Sequence, residues 1–184
     1  MIKIENLTKK FGSQIILNNL NLNIQDGQKV LIMGQNGAGK STLMKAILGE
    51  LICDSGSIFI DNINPIIDRK NALRYLSFVP QTPPPLRLSV AQLCEYSISS
   101  TKTDLNNIIN YLKELDLNYE TEHKKPFYKL SGGMKQKVLI ALALARDSKT
   151  ILFDEPTANL DPQAREKFIN ILKEGMRKSA KNPV

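Results

Sequence analysis

The nine residues from Gly34 to Thr42, "GQNGAGKST", separate the apolar run "KVLIM" from "LMKAIL". They fit G-x-x-x-x-G-K-[ST] between a strand pattern and a helix pattern, which is the setting in which such a loop holds phosphate. Glycines allow consecutive backbone N–H groups to point into one concavity beside the positive end of a helix. The spacing predicts Lys40 at the β- and γ-phosphates of a nucleotide and the Ser41 hydroxyl on Mg²⁺, with Gly34, Asn36, Gly37, Ala38, Gly39 and Thr42 around them. A chain carrying this loop needs a strand to deliver it and a helix to receive it, so the expected class is α/β.

The rest of the chain fits one domain of that class. Residues 1 to 30 alternate apolar and polar positions and break at Gly12 and at Asp26-Gly27, which predicts antiparallel strands. "KVLIM" does not alternate and predicts a strand covered on both faces; "LMKAIL" before Gly49 predicts a short helix with a glycine stop. "GSIFIDNI" and "YLSFVPQ" predict two further strands. "TPPPLRL" is a stiff extended connector, because each proline fixes its own backbone and restricts the residue before it.

From about 82 to 130 the pattern turns helical. Ser89 with Gln92 three residues later is a capping-box signal for a helix burying Val90, Leu93 and Cys94. Asp104 caps a second helix, with Leu105, Ile108, Ile109, Leu112 and Leu115 at helical spacing. "MKQKVLIALALARD" predicts a third helix, "TILFDE" a buried strand, and Asp161-Pro162 a strong helix start leading into "QAREKFINILKEGMRK". The mainly helical stretch reads as an insertion in an α/β core.

Two more constellations carry chemistry. In "TILFDEP", Asp154 can hold Mg²⁺ through water, and Glu155 can orient or deprotonate an attacking water. In "LSGGMKQKVLIALALAR", Ser131-Gly132-Gly133 opens a helix. "LSGGMKQK" resembles the signature sequence of the ATP-binding cassette (ABC) family, and "ILFDEPTANLD" resembles that family's second nucleotide motif and D-loop at Asn159-Leu160-Asp161. With the phosphate loop, in this order and at these intervals, the resemblance covers essentially the whole chain.

The resemblance implies a single ABC ATPase domain over residues 1–184, with a P-loop NTPase core, an antiparallel β subdomain and an inserted helical subdomain. Residues 1–81 would hold the β subdomain and the first part of the core. Residues 82–130 would be the helical subdomain, and 131–184 the signature helix, second-motif strand, D-loop and last helix. It implies ATP with Mg²⁺ and hydrolysis that powers a membrane transporter.

Residue by residue, it places Phe11 on adenine and Lys40 on the phosphates. It assigns Glu155, Lys40 and Gln81 to catalysis, and Ser41, Gln81 and Asp154 to Mg²⁺. In this family two ATPase domains face each other, so Ser131, Gly132, Gly133 and Asp161 would complete the nucleotide site, the signature residues acting in trans. The partners implied are a second ATPase domain, as homodimer or heterodimer, and transmembrane permease subunits.

The family's switch histidine has no counterpart here. His123, the one histidine, precedes the signature and reads as a solvated loop residue. The strand that carries the switch histidine is expected between the strand leading to Gly34 and the one ending at Asp154. Losing it would leave backbone groups without partners in a buried sheet. The sequence-level expectation is therefore a C-terminally shortened chain, or a central slot filled differently. It also keeps open a catalytically weak nucleotide-binding regulatory module.

Composition fits these readings. The chain has 184 residues with net charge +7, and no apolar run approaches the roughly 20 residues that span a bilayer. Cys53 and Cys94 have no metal or redox spacing, and a cytoplasmic ATPase peripheral to the membrane is expected. The basic charge permits a soluble ABC ATPase acting on nucleic acid or ribosomes, but no nucleic-acid-reading motif stands out and no direct nucleic acid is expected.

Overall fold

The computed structural model describes residues 1–181 apart from 102 and 147, and no side chain from 174 onward. The chain divides into two compact units, Met1–Ser77 and Phe78–Val184.

The first unit is built on a three-stranded antiparallel sheet of order β2-β1-β3, from β1 (Ile2–Phe11), β2 (Gln14–Ile24) and β3 (Ser55–Ile60). Ile2 faces Ile24 on one side and Ile60 on the other, so central β1 sets both registers. Its buried side chains run Ile2, Ile4, Leu7, and the jump of three follows from a bulge at Asn6, held at φ 50°. The extra residue shifts the inward face by one position. Gly56, across the sheet, sits so close that a Cβ would lie 2.5 Å from the carbonyls of Glu5 and Asn6.

Helix α1 (Lys40–Ile47) packs on β2 and β3 and buries Leu43, Ala46 and Ile47, stopping at Gly49 as expected. A short helix absent from the sequence reading, α2 (Arg69–Ala72), starts on the Asp68 carboxylate, which accepts the Asn71 N–H.

"KVLIM" does not form the buried strand. Residues 28–35 carry no strand assignment, and Val30, Leu31 and Met33 are 47%, 82% and 82% exposed. A strand apolar on both faces is stable only when neighbouring strands and covering layers take up its backbone groups and side chains. The sheet of this unit, β2-β1-β3, does not include this segment.

In the second unit, β4 (Leu76–Val79), which begins at the unit boundary, pairs with β5 (Thr150–Phe153). Around them stand α3 (Val90–Ser100), α4 (Leu105–Glu114), α5 (Tyr119–Glu122), α6 (Gly132–Ala145) and α7 (Pro162–Lys181). Both capping signals hold: Ser89 and Gln92 form the reciprocal box, and Asp104 accepts the Asn107 N–H. Ile108, Leu112 and Leu115 enter a common core with Val90, Phe127, Val138 and Ile140. Thr103 Oγ1 donates to the Ala145 carbonyl at 2.6 Å, tying the entry of α4 to the end of α6.

Three expectations need correction here. β5 is less buried than its composition suggests: only Leu152 is fully covered, because β5 lies in a two-stranded sheet, and Phe153 instead meets Phe168 edge-on at 5.2 Å. His123 is not simply solvated; it ends α5, is half-buried, and stacks on Tyr119 at 5.2 Å. The helix from "MKQK" ends at Ala145, and Asp147, its expected last residue, lies outside the described residues. No described helix is long and apolar enough to cross a membrane.

Candidate nucleotide site

The site residues fall into two groups, one in each unit. In the first unit, Gly37 and Gly39 sit at φ 85° and 91°, where side chains are strained. At Gly39 a Cβ would also lie 2.9 Å from Ile16 Cγ2, so this position is fixed as glycine twice over. Gly39 is the N-cap of α1 and supplies no side chain to it, leaving that role open to an anion. The Ala38 N–H donates to Gln35 O at 3.1 Å, closing the turn that carries Asn36 and Gly37.

The Lys40 ammonium folds back over this loop, donating to Gly34 O at 2.7 Å and Gln35 O at 3.2 Å. Ser41 is exposed and Thr42 half-buried on the first turn of α1. Phe11 ends β1 with its ring 52% exposed and Lys9 Nζ 5.3 Å from its centre. An aromatic face open to solvent at a strand end is available for stacking.

In the second unit, the Asp154 N–H donates to Val79 O at 3.0 Å, locking the ends of β4 and β5 in register. Each strand is then followed by a candidate site residue. Gln81, after β4, donates from Nε2 to Glu155 Oε2 at 2.7 Å. Glu155 itself adopts φ 46°, sparsely populated for a residue with a Cβ, so its carboxylate is presented from a strained backbone. The Asn159 side-chain amide donates to Gln81 O at 3.2 Å. The resemblance places Asn159 in the D-loop and assigns it no contact; this bond to the backbone of Gln81 is found only in the structure.

Asp161 accepts the Ala164 N–H at 2.8 Å as the cap of α7, and Lys137 lies 3.5 Å from its other oxygen. The Ala164 N–H first, then the Lys137 charge, hold this carboxyl below its ordinary range. Ser131 caps α6 through the Met134 N–H, and Ser131 and Gly132 are exposed at the helix start. Gly133 faces the D-loop: a Cβ there would lie 3.0 Å from Asn159 O. The second unit thus gathers Gln81, Glu155 and Asn159 into one cluster and presents the signature residues outward.

The family model described as ABC transporter matches residues 17–158. The lantibiotic transport ATP-binding protein SrtF of Streptococcus pyogenes is 34% identical over 182 residues, covering 96% of this chain and 77% of its own. The energy-coupling factor transporter ATP-binding protein EcfA2 of Clostridium perfringens is 35% identical over 183 residues, covering 91% of this chain and 64% of its own. Among solved structures, the dimeric post-hydrolysis state of the ATP-binding cassette MJ0796 bound to ADP and Pi matches with TM-score 0.83 and 32% identity, over 97% of this chain and 84% of that one. With a family model spanning most of the chain and relatives above 30% identity across it, the chain belongs to the ABC transporter family.

Proposed function

We propose the following roles for the residues of this chain, which is an ATP-binding and ATP-hydrolysing subunit that powers an ABC transporter. It works as one of a pair of such domains alongside membrane permease subunits. Lys40 and the backbone amides of residues 37–42 take the β- and γ-phosphates, and Phe11 stacks on the adenine. Ser41, Asp154 and Gln81 are oxygen donors of the kind Mg²⁺ prefers, and each can serve it directly or through water. When bound, that ion neutralises phosphate charge. Glu155 polarises the attacking water, with Gln81 holding its orientation. The signature residues Ser131, Gly132 and Gly133, with Asp161 nearby in sequence, serve the nucleotide of the opposing domain.

The observation that carries the hydrolytic reading is the 2.7 Å bond from Gln81 to a Glu155 carboxylate raised on strained backbone. Holding Glu155 in that conformation costs on the order of 1–3 kcal/mol. Transport in this reading follows from nucleotide-dependent closing and opening of the paired domains. The subunit sits peripherally on the cytoplasmic face of the membrane through its permease.

The experiment is steady-state ATP hydrolysis together with equilibrium ATP binding, each with Mg²⁺ and with chelator. Mg²⁺-dependent turnover is the expected result. Nucleotide binding without any turnover, at every protein concentration and with permease present, would leave a regulatory nucleotide-binding module instead.

A further inference from the structure

Gln136 is the largest polar side chain in the interior of the second unit and is 0% exposed. It lies on α6, whose other buried residues, Val138, Ile140, Ala141, Ala143 and Ala145, are all apolar. Its Nε2 donates to the carbonyl of Pro80 at 3.2 Å, while its Oε1 is buried with no hydrogen-bond partner among the described residues. A buried amide half satisfied is held at an energetic cost. The bond it does make ties α6 to the turn that leaves β4.

That bond ends next to Gln81. Proline has no N–H, so the turn leaving β4 can be anchored at residue 80 only through its carbonyl. Two side-chain amides grip successive carbonyls: Gln136 takes Pro80 O, and Asn159 takes Gln81 O. The backbone of Gln81 is thereby clamped from both ends, and its side chain points at Glu155 Oε2. One position along α6, Lys137 lies 3.5 Å from Asp161, so the same helix turn touches both the turn that carries Gln81 and the loop that follows Glu155.

We propose that Gln136 is a positioning residue for hydrolysis. Through the Pro80 carbonyl it couples the helix opened by Ser131 to the Gln81–Glu155 pair. Engagement of the helix start by an opposing domain then reaches the attacking-water site through this bond. The inference rests on the hydrolytic reading above.

The test is Gln136→Met, which keeps the side-chain length and removes both the donor and the orphaned oxygen. The substitution relieves the orphaned oxygen but leaves the Pro80 carbonyl without its donor, so a small loss of melting temperature is expected. Turnover should fall about tenfold, the order expected for a slightly misplaced catalytic group, with KM for ATP unchanged. In a Gln81→Ala background the same substitution should produce no further loss, because residues acting in series are not additive.

Amide hydrogen exchange at Gln81 and Thr82, which follow the Pro80 carbonyl, should quicken while that of α6 does not, a readout independent of hydrolysis. Unchanged kcat, a loss that multiplies with that of Gln81→Ala, or unchanged exchange at Gln81 and Thr82 would each overturn the proposal. If Gln136→Met fails to fold, Gln136→Asn, whose amide is one methylene too short, is measured in the same three ways. Wild-type protein without turnover would count against the hydrolytic reading, and the exchange measurement would still decide whether Gln136 holds the turn.

Discussion

Gln81 and Glu155 stand 74 positions apart in sequence, yet Gln81 Nε2 donates to Glu155 Oε2 at 2.7 Å. The Asp154 N–H on Val79 O fixes the register that makes this meeting possible. Each residue lies just past the end of one of two paired strands, so the strand ends deliver an amide and a carboxylate to one point.

Replacing Glu155 by Gln keeps an acceptor oxygen for Gln81 and removes the charge that polarises water in the proposed mechanism. ATP binding should persist while turnover falls by a factor on the order of 10² or more. Equilibrium binding and single-turnover hydrolysis check the two halves separately. Hydrolysis at the wild-type rate would take Glu155 out of the mechanism.

Much of this arrangement was legible in the sequence because local chemistry dictates it. Caps at Ser89, Asp104, Ser131 and Asp161 depend only on residues within one helical turn, and all four form as read. The glycines of the phosphate loop likewise declare their φ angles. What could not be read depends on distant partners. The run "KVLIM" states a demand for cover, not whether cover is supplied, and Leu31 and Met33 remain exposed. Asn159 and Gln136 look ordinary in sequence, since their importance lies in which remote carbonyl each one reaches.

Lys40 holds the carbonyls of Gly34 and Gln35 before any phosphate is considered. In the proposed site the ammonium instead meets charged phosphate oxygens, and losing a hydrogen bond of that kind costs about 1.5–3 kcal/mol. Lys40→Ala should therefore weaken ATP binding by roughly ten- to a hundredfold. Because the ammonium bonds lie at an exposed loop, the melting temperature should barely move. Titration calorimetry and thermal unfolding separate these effects, and equal ATP affinity in the two proteins would dismiss the phosphate role.

Phe11 offers an open ring at the end of β1. Base–aromatic stacking contributes about 1–3 kcal/mol and tolerates different bases. Phe11→Ala should weaken ATP and GTP alike, whereas Phe11→Tyr should restore both. If only the protein's stability changes and nucleotide affinity does not, the ring is a structural strand-end residue.

Ser131 and Gly132 are exposed at the start of α6, and in the proposed function they serve the nucleotide of the opposing domain. Turnover per chain should rise with protein concentration. A stricter check mixes two inactive variants, Lys40→Ala and Ser131→Arg. A mixed pair has one composite site with an intact lysine from one chain and an intact serine from the other, so mixing should recover part of the activity. No recovery, with mixed pairs detected by native mass spectrometry, would show that the signature acts within its own chain.

Asp161 gives a pH signature. Its carboxyl is held below the ordinary value of 3.8 by the Ala164 N–H at the cap and by Lys137. A carboxyl with a depressed folded-state pKa stabilises the fold above its unfolded value, and that contribution disappears as pH falls below 3.8 through the lowered one. Asp161→Asn retains a capping oxygen but cannot titrate. Other depressed carboxyls, Asp54 and Asp68, are common to both proteins and cancel in the comparison. The wild type should therefore melt higher than the variant at neutral pH, and the gap should close on acidification. Thermal unfolding across the acid range measures that gap directly; one that stays constant would mean that the cap, and not the charge, sets the start of α7.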